Sequence, residues 1–142
     1  MKTLGIDYGT KNIGLAVSDE DEIIAGRYTN LLNHSDNRAS QELVELIEMQ
    51  NIGKVLLGFP FSYNHDETRE NDVQKRIRRL KTYLEKHAKV VVVLWDESFS
   101  SSIVEKDMRG KARKASDSEA ARLILQEYLD NQSMMNRAKK IN

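Results

Sequence analysis

The chain has 142 residues, 31% charged and 39% hydrophobic, with no cysteine. That length and balance favour a single polar but globular domain, and the lack of cysteine excludes disulfides, Cys-ligated zinc, iron–sulfur clusters and thiol nucleophiles. The net charge of zero sums two opposed halves: 5 Lys/Arg against 11 Asp/Glu in residues 1–68 (−6), and 17 against 11 in residues 69–142 (+6), with bases gathered at 69–89 and 105–114. Such asymmetry hints at a polyanionic partner, but from charge alone a solvated helix face and a solvated loop are the more ordinary reading.

The N-terminus reads as a strand over residues 3–8, a turn at Gly9-Thr10-Lys11-Asn12 and a returning strand from Ile13 to Ser18, together a hairpin. A third strand is expected from about Glu22 to Leu32. Ser35-Asp36 can cap a helix with Ala39, Leu43, Leu46 and Ile47 on its apolar stripe, ended by Gly53. Lys54 to Phe59 is a short apolar strand stopped by Pro60, the only proline. The next helix carries Val73, Ile77, Leu80 and Leu84 on one face and Lys75, Arg76, Arg78, Arg79 and Lys81 largely on the others. Val90 to Trp95 has the profile of a fully buried strand. As the longest purely apolar run, at six residues, it is far short of the ~20 a membrane span needs. A short helix is expected at about Ser101 to Met108, then a basic loop from Gly110 to Ala115. A last helix begins near Ser116 with Ala121, Ile124, Leu125 and Tyr128 inward. A meander feeding βαβ units predicts an α/β domain, a mixed sheet with helices on both faces, whose ligands sit beyond the carboxyl ends of the strands.

Three acidic positions fall at that edge. Asp7 lies inside an apolar strand, just before the Gly9 turn. Asp96-Glu97 follow the run ending at Trp95. Asp117 opens the last helix on the face of Ala121 and Ile124. Each has an ordinary structural use: Asp7 as a turn acceptor, Asp96 and Glu97 as strand-end polar residues, Asp117 within the capping box Ser116-Asp117-Ser118-Glu119. Together they mean more, because converging carboxylates repel unless a divalent cation or a shared proton relieves them. Oxygen donors without cysteine favour Mg²⁺ or Mn²⁺ over zinc. His34, His65 and His87 show no ligand spacing and read as surface residues. The serines at 98 and 100–102 lack a nucleophile-elbow context. An acid at Asp7 would break a secretory apolar region, so a mature cytoplasmic start is expected.

The opening Gly5-Ile6-Asp7-Tyr8-Gly9-Thr10-Lys11-Asn12-Ile13-Gly14-Leu15-Ala16-Val17-Ser18-Asp19 strongly resembles that of the YqgF/RuvX family, bacterial proteins of the ribonuclease H-like superfamily described as Holliday junction resolvases and as pre-16S rRNA nucleases. Three further blocks match in order: Val55 to Pro60, Val91 to Trp95 with Asp96-Glu97-Ser98-Phe99-Ser100-Ser101, and Asp117 to Leu129. The resemblance covers about residues 2–130. The departures, such as Asn12 where the family often has Arg, leave the three acids in place.

The resemblance implies a five-stranded mixed sheet in the order 3-2-1-4-5, with an antiparallel opening meander and parallel fourth and fifth strands. The whole chain 1–142 would be one nuclease domain, with residues 131–142 a C-terminal extension expected to fray. It implies Asp7, Glu97 and Asp117 as catalytic metal-binding acids for two Mg²⁺ or Mn²⁺ ions, with Asp96 and Glu119 open as a fourth. Lys11, Lys111, Arg113 and Lys114 would contact a nucleic-acid backbone. The expected activity is phosphodiester hydrolysis on structured nucleic acid in the cytoplasm, at the 5′ end of pre-16S rRNA or on four-way DNA junctions, by a monomer or a homodimer and without a membrane role. An actin-like ATPase shares the Asp-x-Gly-Thr loop but needs two such lobes, and a catalytically silent RNA-binding module stays open.

Overall fold

A computed structural model describes residues 1–61, 70–96, 104–106, 112–114 and 117–141. Strands β1 (Lys2–Asp7), β2 (Asn12–Ser18) and β3 (Ala25–Leu32) form an antiparallel meander. Helix α1 (Asp36–Met49) leads to β4 (Ile52–Phe59), parallel to β1, and α2 (Asp72–His87) leads to β5 (Val91–Asp96), parallel to β4. The sheet order is β3-β2-β1-β4-β5, the order that the resemblance implies. A two-stranded antiparallel pair, β6 (Val104–Lys106) and β7 (Ala112–Lys114), precedes α3 (Asp117–Ile141).

Strand alternation divides the core in two. Leu4, Ile6 and Tyr8 of the first strand and its extension, Ile13 and Leu15 of β2, and Val55, Leu57 and Phe59 of β4 pack with Leu43 and Ile47 of α1 and with Ile77 and Leu84 of α2. The opposite face is lined by small residues. Gly5, Gly14 and Ala16 let α3 lie close on β1 and β2, where Ala121, Ile124, Leu125 and Tyr128 are buried. A Cβ on Gly5 would come within 3.0 Å of Leu125 Cβ and 3.2 Å of the Ala121 carbonyl oxygen.

Several elements differ from the sequence expectation. Val104–Lys106 is a strand, not part of a helix, and Ala112–Lys114 is its partner, not loop; the β-branched pair Ile103-Val104 suits a strand better than a helix. Gly53 does not end α1. The helix stops at Met49, Asn51 takes the left-handed conformation (φ 54°), and Gly53 lies within β4, where a Cβ would strike the Met1 side chain. The run Val90 to Trp95 supplies an edge strand, not a fully buried one. Val92 is buried, but Val91 is 61% exposed, and β5 is an edge strand of the sheet among the described residues. The third strand starts at Ala25, after a loop in which the Asp19 carboxylate accepts from the Ile23 and Ile24 amides. Helix α3 spans Asp117–Ile141. Among the described residues, no helix is long and apolar enough to cross a membrane.

Candidate active site

Asp7 is the last residue of β1, the central strand, at the edge where β1, β4 and β5 all present their carboxyl ends. Side chains two apart share a face, so Asp7 projects on the side of Gly5, toward α3. Its register partner on β2 is Gly14. A Cβ on Gly14 would lie 1.9 Å from the Asp117 carbonyl oxygen and 2.7 Å from the Ser118 amide nitrogen. The missing side chain is therefore what lets the first turn of α3 settle against β2. Asp117 and Asp7 come to the same face of the sheet at neighbouring positions, both partly buried.

Glu97 lies outside the described residues, as do Lys111 and His65. Among the described residues, the acids and histidines form no three-membered metal set; the described part of the candidate centre is the pair Asp7–Asp117. Asp96 is in register with Phe59, and its alternation partners Val92 and Leu94 pack on the α1/α2 side. Asp96 is thus on the face opposite Asp7, whereas Val93 and Trp95 face α3. Glu119 is engaged elsewhere. Both its oxygens accept from Arg122 Nε at 3.0 Å, and Arg27 Nε lies 3.4 Å away. The Arg122 guanidinium holds the Glu119 carboxyl below its ordinary pKa.

Lys11 is exposed in the turn beside Asp7. Arg113 and Lys114 belong to β7, so the basic segment ahead of Asp117 is strand, not loop, where the two residues are described. On α2, three of the bases singled out in the sequence are spoken for: Arg76 pairs with Asp36, Arg78 with Glu70 and Lys81 with Glu85. His34 and His87 are exposed.

Sequence reasoning missed the network behind the turn. Asp36, read only as part of a helix cap, accepts from Tyr8 Oη (2.7 Å), Asn33 Nδ2 (3.0 Å), Arg76 Nη2 (2.9 Å) and Arg76 Nε (2.7 Å). Asn33 Nδ2 also donates to the Gly9 carbonyl (3.1 Å), and the Asn33 amide to that of Lys11 (2.9 Å). These bonds tie α1 and α2 to the turn that follows Asp7. Hydrogen bonding to Arg76 holds the Asp36 carboxyl well below the usual carboxylate range. Burial, then the Asp36 hydrogen bond, pushes the Tyr8 hydroxyl up to about 12, so it stays a donor at neutral pH. Ser35 before α1 is a readable signal; two partners of Asp36, Tyr8 and Arg76, lie 28 and 40 residues away and are set by tertiary packing.

The sheet order β3-β2-β1-β4-β5 with helices on both faces defines a protein of the ribonuclease H-like fold. Thermus thermophilus RuvC in complex with a Holliday junction substrate superposes with a TM-score of 0.60 at 16% identity, covering 94% of this chain and 96% of that one. The fowlpox virus Holliday junction resolvase gives 0.51 at 14% identity, covering 92% and 99%. Residues 1–131 match the family described as "RuvX: Holliday junction resolvase", and the chain belongs to that family of nucleases. Proteins named "Putative pre-16S rRNA nuclease" from Maridesulfovibrio salexigens (33% identical; 91% of this chain, 98% of that protein) and Bacillus subtilis (36%; 92% and 99%) are similar over nearly their whole length.

Proposed function

We propose that this chain is a divalent-metal-dependent endonuclease that hydrolyses phosphodiester bonds in structured nucleic acid, and that it processes the 5′ end of pre-16S rRNA in the cytoplasm. The observation that supports this reading is the placement of Gly14 between Asp7, its register partner at the carboxyl edge of the sheet, and the Asp117 backbone that opens α3. The donor set fits the group: carboxylate oxygens without sulfur are hard ligands suited to Mg²⁺ or Mn²⁺. Asp7 and Asp117 would hold the ions, with Glu97 as the third ligand. Asp96, on the other face of the sheet, leaves Glu97 as the acid of that pair to assign. When bound, two such ions supply Lewis-acid stabilisation of the leaving oxygen and a water of lowered pKa.

The chain's own groups do the positioning. Asp7 ends a strand paired with β2 and β4, so its backbone is held at the carboxyl edge of the sheet. Lys11 beside it, with Lys111, Arg113 and Lys114 ahead of Asp117, would neutralise backbone phosphates without reading sequence. No protein nucleophile is required. The choice of RNA over a four-way DNA junction rests on the name carried by the full-length relatives; a junction resolvase would in addition act as a dimer to make two symmetric cuts. The test compares cleavage of a pre-16S rRNA leader with that of a four-way DNA junction, in Mg²⁺ and in Mn²⁺, with Asp7→Asn as control. Cleavage of the leader by the wild type alone is expected. Cleavage of the junction in preference to the leader would replace the substrate, and cleavage of neither would remove the enzymatic reading.

A further inference from the structure

The face of the sheet opposite the acids carries a basic groove that the proposed mechanism does not use. Tyr8, the residue after Asp7, points there, with the Arg76 guanidinium 5.6 Å from its ring centroid. Tyr8, Ser35, Asn37, Arg76, Arg79 and Tyr83 line a hollow of about 400 Å³ between α1 and α2. A second hollow of about 400 Å³ shares Arg79 and Tyr83 and continues past Thr82, Lys86 and His87. The groove thus opens one residue across the sheet edge from Asp7 and runs along α2.

Its charge is one-signed. The one acid among its described lining residues, Asp36, is already neutralised by Arg76. Arg79 and Lys86 are exposed and in no ion pair with a described residue, unlike Arg76, Arg78 and Lys81. Lys75, Arg79 and Lys86 stand at i, i+4 and i+11, one stripe of the helix. The seven residues from Arg79 to Lys86 cover about 10 Å at 1.5 Å each, so the two cations can meet different phosphates of one strand. The pair Tyr83–His87, with ring centroids 4.2 Å apart, adds aromatic surface to that stripe.

We infer that this α1–α2 groove is a second nucleic-acid backbone site, in which Arg79 and Lys86 hold phosphates of the substrate segment that passes over the β1 edge from the acids. The inference rests on the nuclease reading above and extends it to a face of the molecule that the reaction itself does not need.

The experiment measures binding of a pre-16S rRNA leader fragment by fluorescence anisotropy across a salt series, using full-length protein with Asp7→Asn so that the RNA stays intact. Adding Arg79→Glu and Lys86→Glu is expected to weaken binding at least tenfold at ~0.1 M salt and to reduce the slope of log affinity against log salt by about 2. The melting temperature should stay unchanged, since both side chains are exposed. The pair Arg79→Lys and Lys86→Arg should restore both affinity and slope. Equal affinity and slope in the Glu variant would overturn the groove while leaving the nuclease reading intact. So would a loss of affinity with an unchanged slope. Absence of RNA binding by the Asp7→Asn parent would overturn both.

Discussion

At Gly14 the chain has no room for a methyl group: its Cβ would lie 1.9 Å from the Asp117 carbonyl oxygen. Gly14→Ala should push the first turn of α3 off β2, cost about 1–3 kcal/mol of stability by overpacking and abolish metal-dependent cleavage. Urea unfolding and a cleavage assay on the same preparation check both. Gly5→Ala meets the Leu125 Cβ at 3.0 Å and should be milder. The neighbouring acids Asp96 and Glu97 should differ in effect. Asp96 lies on the α1/α2 side of the sheet with Phe59, so Asp96→Asn should retain cleavage, whereas Glu97→Gln should lose it. Activity lost in Asp96→Asn but kept in Glu97→Gln would reverse that assignment. The sequence already made Asp7 and Asp117 candidates, since an acid inside an apolar strand and an acid on the inward side of a helix start are local patterns. It did not reveal the role of Gly14, because a glycine required by a close approach looks like any glycine until the partner element is in place.

Between elements, the Asp36 carboxylate is the joint that binds α1, α2 and the turn after Asp7. Removing it leaves Arg76 without its partner. Asp36→Asn should cost about 1–2 kcal/mol at neutral pH, taking charged hydrogen bonds at the lower end because the side chain is 36% exposed. The pH dependence follows from the lowered pKa of Asp36. Its stabilisation is fully present above the ordinary carboxylate value of ~3.9 and is lost as pH falls through the lower folded value. The stability gap between wild type and Asp36→Asn, followed by denaturant unfolding, should be constant from pH 5 to 8 and narrow below about pH 4. A gap unchanged down to strongly acid pH would deny the ion pair its weight. Periodicity was enough to read the helices, as the buried residues Ala39, Leu43 and Ile47 of α1 and Ala121, Leu125 and Tyr128 of α3 show. It failed where pairing decides. Val104–Lys106 becomes a strand because Ala112–Lys114 lies beside it, and β5 is an edge strand although its composition suits a central one.

For the whole molecule, the charge asymmetry of the sequence becomes a spatial one. Asp7 and Asp117 lie at the carboxyl edge of the sheet on the α3 side, and the α2 bases Arg79 and Lys86, in no ion pair with a described residue, lie on the opposite face. A protein of zero net charge should then bind nucleic acid with a steep salt dependence set by its local bases, not by its total charge. That dependence should survive in Asp7→Asn, because the role proposed for Asp7 is toward metal and not toward phosphate. The fold class and sheet order were legible as a whole because the pattern of four blocks spans nearly the full chain. The partnering of α2 bases was not, since Arg76 and Arg79 look alike in sequence and differ only in whether Asp36 is within reach. The most direct test of the shared acid centre is calorimetric titration of Mn²⁺ into wild-type protein and into Asp7→Asn, Glu97→Gln and Asp117→Asn. The account predicts binding to the wild type and at least a tenfold weakening in each variant, with folding retained. Wild-type affinity for Mn²⁺ in all three variants, or no Mn²⁺ binding by the wild type, would contradict it.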